Sequence, residues 1–266
     1  MNRCDCHIHI ISLSAQYPLA PSRDYTPPEA TADAYRVLAG HLNLDRAVVI
    51  QPSVYGTDNS CTRDALLAAN GRWRGIAVIR PDAKEAEIRS LHEAGFRGVR
   101  FNLLHAHQDD LECLESVARL IAPFNWHIEF AIRSDQLCEI ADRLAALPVH
   151  VVVDHMARLP PNVTAADPML KQVLELLKSG QLWIKLAGAY IVSKTGRPYD
   201  DLSALAQTLV NARPDRMVWG SNWPHPRRDL STAENLELVQ LVERWGFDPE
   251  VRDAIFIYNP ARLYDF

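Results

Sequence analysis

The run "CDCHIHI" at residues 4–10 decides how this chain is to be read. Taken as a β-strand, its side chains alternate, so Asp5, His7 and His9 are expected on one face and Cys4, Cys6 and Ile8 on the other. The alternation separates histidines from cysteines and argues against a mixed Cys/His zinc site built on this strand alone. Two residues rise roughly 7 Å along a strand, so the paired imidazoles can address one ion or one substrate. Two histidines on one short strand point to use rather than to packing.

Seven more short runs follow: 47–51 "AVVIQ", 75–79 "GIAVI", 98–102 "GVRFN", 127–131 "HIEFA", 149–154 "VHVVVD", 182–186 "LWIKL" and 216–220 "RMVWG". Most are apolar at consecutive positions, as parallel strands covered on both faces should be. Between them lie helical patterns. In 134–147, Leu137, Ile140, Ala141, Leu144 and Leu147 form one stripe; in 168–178, Leu170, Val173, Leu174 and Leu177 form another. Asp167-Pro168 and Ser231-Thr232-Ala233-Glu234 are helix starts, and Gly95, Gly180 and Gly246 fall where helices should stop. Eight strands alternating with helices predict a (β/α)8 TIM barrel, a single domain over 1–266 with no linker or repeat. The proline-rich stretch 17–28 reads as a long first loop over the active face.

Net charge of -5 with no basic stripe argues against nucleic acid. Five cysteines without a C-x-x-C pair predict neither a disulfide framework nor a zinc ribbon and fit the cytoplasm. No leader and no membrane span is expected, and no nucleotide-binding glycine motif occurs. The expected partner is a small molecule; the oligomeric state stays open.

In such barrels chemistry sits at the C-terminal ends of the strands. Those ends supply Gln51, Arg80, Arg100, Asn102, Glu129, Arg133, Asp154, His155, Lys185, Asn222 and His225, with Arg97 just before the fourth run. Arg100 is expected to grip a carboxylate. His127 opens the fifth run at the end remote from the chemistry, and Lys185 reads more readily as a structural partner of a carboxylate. Adjacent strand residues face opposite ways, so His155 is expected inside with Asp154 as its partner, unless the strand is already turning.

With "DCHIHI", "GFRGVRFN", "VVVDHM", "WGSNWPHP" and the terminal "NPARLYDF" in order, nearly the whole chain resembles the amidohydrolase superfamily. It is most similar to the branch of 2-pyrone-4,6-dicarboxylate lactonases and sugar-lactone hydrolases and isomerases. The resemblance implies a lactone hydrolase whose catalytic cluster maps to His7, His9, His155 and position 222. Tyr25, Tyr55, Arg97, Arg100 and His225 are expected to bind substrate. The pyrone lactonase needs no metal, which favours a site without a cofactor; the alternative is one zinc held by His7, His9 and His155. Ile191 and Ala131 stand where the pyrone lactonase has an arginine and a tyrosine, implying a different or smaller acid.

Asn222 stands where that branch has an aspartate. A neutral amide cannot act as a base. Four accounts follow: a replacement that traps a bound lactone, a natural variant using His155, His225 or Asp154 as base, an isomerase in which a substrate hydroxyl attacks the lactone, or a binding protein without catalysis. The working expectation is that His7, His9 and His155 polarise the ring carbonyl while Asn222 orients the attacking water or hydroxyl.

Overall fold

In the computed structural model, which describes residues 2–23, 25–104, 111–226 and 228–266, eight parallel strands follow one another in chain order. They are β1 Cys4–Ile8, β2 Arg46–Ile50, β3 Trp73–Ala77, β4 Phe96–Asn102, β5 His127–Ala131, β6 Val151–Val153, β7 Leu182–Ala187 and β8 Met217–Gly220. Past its last strand the sheet meets its first: Asn222 N donates to His7 O at 2.9 Å and His9 N donates to Trp223 O at 2.8 Å. The (β/α)8 barrel expected from the strand count is therefore the fold.

Cys4, Cys6, Val48, Ile50, Ile76, Val152, Trp183 and Val218 form the apolar filling of the barrel, plugged from below by Leu263 and Tyr264. The outward side chains of the same strands, such as Ile8, Val49, Val99 and Ile184, pack against the helices. Both strand faces are thus dry, which explains the consecutive apolar residues.

The helix Pro168–Lys178 starts as expected, with Asp167 Oδ1 accepting from Met169 N at 2.8 Å; it buries Leu170, Val173, Leu176 and Leu177, whereas Leu174 is only partly covered. The helix Thr232–Arg244 opens on a capping box, Ser231 Oγ accepting from Glu234 N and Glu234 Oε2 from Ser231 N. The stretch expected as one helix over 134–147 is two, Ser134–Glu139 and Ala141–Ala145, because the backbone at Ile140 leaves the helical region at φ -108° and ψ 10°. Gly95, Gly180 and Gly246 all follow helices at positive φ. No helix among the described residues is long and apolar enough to cross a membrane.

Candidate active site

A bulge in β1 decides what enters the barrel mouth. The β1–β2 register shifts between Asp5 and Ile8, so strict alternation fails there. Asp5 turns to the helix layer, accepting from Ser221 N at 2.8 Å, Tyr35 Oη at 3.1 Å and His7 N at 3.2 Å, and burial pushes its carboxyl up to about 6. His7 turns the other way, into the barrel. The expectation that Asp5, His7 and His9 share a face is corrected by this extra residue. Gly220 makes the turn possible, since a Cβ there would lie 2.5 Å from His7 Cβ.

Strand β6 also departs from simple alternation. It ends at Val153, and His155, Met156, Ala157 and Arg158 then take φ between 50° and 54°. This left-handed turn brings Asp154, His155 and Arg158 all to the mouth, the case of a strand already turning.

Below the mouth lies a buried charge cluster. Lys185 Nζ is 2.6 Å from Glu129 Oε2 and 3.7 Å from Asp154 Oδ1; Arg100 Nη2 is 3.1 Å from Asp154 Oδ2; His7 Nδ1 is 3.1 Å from Asp154 Oδ1. Burial raises the Asp154 carboxyl, but His7, Lys185 and Arg100 together outweigh it and hold Asp154 well below the carboxylate range. Burial wins at Glu129, pushed up to about 7 despite Lys185. Burial, reinforced by Lys185, keeps His7 well below the usual imidazole range, and its Nε2 has no partner among the described residues.

Above the cluster opens a cavity of about 550 Å3 lined by His9, Tyr25, Arg100, Asn102, His155, Arg158, Tyr190, Asn222 and Arg228. Its two imidazoles have a defined polarity. His9 Nδ1 lies 2.9 Å from Ile50 O, and His155 Nδ1 lies 3.2 Å from Ala187 O. A carbonyl only accepts, so in each ring Nδ1 carries the proton and Nε2 keeps a lone pair. Burial holds His9 down to about 3, with help from Arg100, and His155 down to about 4, where Arg158 and Arg100 counter the opposing pull of Asp154. Near neutrality both rings are uncharged. They offer lone pairs at Nε2, not N–H groups, so neither ring is set to donate to a ring carbonyl as expected. Asn222, at φ 66°, donates Nδ2–H to Tyr190 Oη at 2.7 Å.

Several expected residues lie elsewhere. Arg97 is at the opposite end of β4, bonding Asp265 Oδ2 at 3.2 Å and His92 O at 3.0 Å, so it is no substrate ligand. Tyr55 is also removed from the binding set, because its hydroxyl donates to Ser12 O at 2.8 Å and ties down the first loop. His225 sits behind the wall, bonding Tyr190 Oη and Asn235 Oδ1. Gln51 holds Asp58 O and Thr62 Oγ1, while Arg80 and Arg133 pair with Asp82 and Asp135 at the surface. His127 stays on the barrel floor. Arg100 reaches the mouth, but one of its terminal nitrogens is on Asp154 rather than free to grip a ligand. Ala131 and Ile191 line the cavity, as their positions implied. Arg158, Arg228 and Tyr190 were missed because they lie beyond the strand ends; Arg158, three residues after His155 in "DHMAR", carried the nearest signal.

The chain is 33% identical to a 2-pyrone-4,6-dicarboxylate hydrolase of Comamonas testosteroni, over 98% of this chain and 89% of that protein. It is 31% identical to a 4-sulfomuconolactone hydrolase of Hydrogenophaga intermedia, over 98% and 88%. A D-galactarolactone isomerase of Agrobacterium fabrum is 27% identical, over 93% and 86%. The crystal structure of a probable 2-pyrone-4,6-dicarboxylic acid hydrolase from Acinetobacter baumannii, with citric acid bound, superimposes with a TM-score of 0.86 at 27% identity and covers all of both chains. The amidohydrolase family profile matches residues 4–266, and with the barrel and its histidine-lined mouth in place the chain belongs to the amidohydrolase family.

Proposed function

We propose that this protein hydrolyses the ester bond of a small anionic lactone. The observation that carries the reading is the make-up of one cavity: lone-pair nitrogens of His9 and His155 and the Asn222 amide share it with Arg100, Arg158 and Arg228. The guanidinium groups of Arg158 and Arg228 take the substrate's carboxylate or sulfonate. Water binds to Asn222 Oδ1 and gives a proton to the imidazole wall as its oxygen attacks the ring carbonyl. The oxyanion then meets guanidinium N–H groups of Arg100 and Arg158, both of which line the cavity. Collapse expels the ring oxygen, which takes the proton back. The named activities of the Comamonas and Hydrogenophaga relatives, and the citric acid in the Acinetobacter structure, support a small polyanionic ligand.

We propose further that the reaction needs no metal. His7, Asp154 and His155 can bring ligand atoms within 4.8 Å of one another, and His7 Nε2 has no other partner among the described residues. Yet Asp154 is already bracketed by Lys185 and Arg100, and the eighth strand offers a neutral amide where a carboxylate would complete the donor set. The residues present do not fit a divalent ion well. Metal analysis of protein purified without added zinc tests this: a stoichiometric ion whose removal by chelator abolishes turnover would overturn it. Five cysteines with no disulfide among the described residues fit a cytoplasmic setting.

Isomerisation is the second reading, favoured by the polarity of Asn222. Its Oδ1 can orient a substrate hydroxyl as well as a water, and a relative is named as a lactone isomerase. A screen of pyrone, muconolactone-type and aldonolactone compounds by pH-stat and NMR decides. Acid release with opened product supports hydrolysis; a rearranged lactone without acid release supports isomerisation; no turnover of any lactone sinks both.

A further inference from the structure

Behind the cavity wall, four side chains are joined in a chain whose hydrogen-bond directions leave no choice. Asn235 Nδ2 donates to Ser231 O at 3.0 Å and Leu230 O at 3.4 Å, so its Oδ1 is the end that faces His225. That oxygen only accepts, so His225 Nε2, 2.8 Å away, carries the ring proton. The neutral ring keeps its lone pair on Nδ1, and Tyr190 Oη at 3.1 Å must donate to it. The phenol oxygen then has only acceptor capacity left, and Asn222 Nδ2 fills it at 2.7 Å. The chain of donations ends at two backbone carbonyls, which can only accept and so fix its direction.

We propose that Tyr190, His225 and Asn235 form a polarity-locked relay that demands a hydrogen-bond donor at position 222 and so presents Asn222 Oδ1 to the cavity as a fixed acceptor. Tyr190 lines the cavity; His225 and Asn235 are positioning residues that act through it. The amide at 222 is then the residue this network is built around, not a damaged acid. The relay stands whether or not the substrate is a lactone.

The consequence appears when the donor is removed. In Asn222→Asp, a carboxylate oxygen meets the phenol oxygen, lone pair against lone pair. Tyr190 can turn its proton to the carboxylate and still be bonded to His225 only if His225 Nδ1 gains a proton and donates to Tyr190 in return. Imidazole is the more basic of the two groups, so the relay takes up one extra proton on His225. The charged groups around it are Asp229 on its own loop, Glu234 on the helix that carries Asn235, and Arg228 over the Tyr190 ring; the two acids favour the imidazolium and Arg228 opposes it.

The test is NMR titration of the histidine ring protons, with the His225 signal assigned by its loss in His225→Gln. In the unaltered protein His225 should stay neutral down to acid pH, as burial requires. In Asn222→Asp its midpoint should rise by roughly two pH units or more. In Asn222→Asp/Tyr190→Phe at least half of that rise should disappear, because the phenol no longer couples the two groups. An unchanged midpoint in Asn222→Asp overturns the relay, and so does an equal rise in the double variant, which would mean only the field of a new carboxylate. Urea unfolding of Asn222→Asp gives a second readout should the variant be weak: its deficit against the unaltered protein should shrink between pH 8 and pH 5 as the extra proton binds. An equal deficit at both pH values overturns the proposal.

Discussion

Glu129 Oε2 and Lys185 Nζ stand 2.6 Å apart inside the barrel, and neither side chain reaches solvent. Breaking such a pair strands a charge in a medium that solvates it poorly, whereas replacing both groups removes the desolvation cost together with the attraction. Lys185→Met should therefore destabilise the fold by about 3–5 kcal/mol, and Glu129→Leu/Lys185→Met should recover most of that loss. Urea denaturation of the three proteins checks it; a double variant as weak as the single one would mean that the pair itself, not the stranded charge, holds the barrel.

The same carboxyl sets a pH dependence. Glu129 is raised to about 7 in the folded protein, above its unfolded value of 4.5. The unfolded chain releases this proton first, so the contribution to stability is full below pH 4.5 and is lost as pH rises through about 7. Glu129→Gln should flatten that part of the stability curve between pH 5 and 7.5. Chemical denaturation across the window, compared with the unaltered protein, reads the slope directly.

The barrel is legible in the sequence because both strand faces are dry, so each strand writes itself as an apolar run and each helix as a single stripe. His7, His9 and His155 were legible for the same reason, being polar groups at the ends of such runs. What alternation cannot encode is its own failure. The β1 bulge and the left-handed turn at 155–158 place Asp5 outside, His7 inside and Asp154 with His155, and neither has a turn-type glycine to announce it. Arg97 misled because a charge beside a strand does not say which end it belongs to. Tyr190 and His225 matter through bond directions between distant segments, which no local pattern records.

The acid limb of catalysis should lie low. With His9 held to about 3 and His155 to about 4, both rings stay neutral far below the ordinary imidazole range. On the proposed mechanism kcat/KM should be flat from neutrality to about pH 5 and then fall, and His155→Gln should lower kcat by about 10²- to 10⁴-fold. A pH–rate profile that drops with a midpoint near 6.5 would assign the proton transfer to a solvated histidine instead.

Arg158 and Arg228 should differ in what they contribute to binding. Both line the cavity, but Arg158 is half-buried, its Nε without a partner among the described residues, whereas Arg228 is exposed and lies over the Tyr190 ring. A desolvated guanidinium bonds an anion more strongly and is screened less by salt. Arg158→Gln should weaken binding of an anionic ligand such as citrate by about 10- to 100-fold at any ionic strength, and Arg228→Gln by less than about tenfold, with the deficit shrinking in 0.5 M salt. Titration calorimetry at two salt concentrations measures both. Equal, salt-insensitive losses would place the two groups at the same depth.

Gly220 is where the fold makes room for the chemistry. A Cβ there would stand 2.5 Å from His7 Cβ and 2.9 Å from His7 N, closer than any real contact, and the obstacle is backbone as well as side chain. Neither neighbour can yield, since His7 O accepts the Asn222 N–H that closes the barrel and the His7 ring is held against Asp154. Gly220→Ala should therefore cost about 1–3 kcal/mol in overpacking and displace the β1–β8 seam. Because His9 and Asn222 flank that seam, turnover should fall further than stability does, with ligand affinity at Arg158 least affected. Parallel measurement of urea midpoint, kcat and citrate binding separates the three; a loss of citrate affinity as large as the loss of kcat would show that the alanine disturbs the whole mouth rather than the His7 corner.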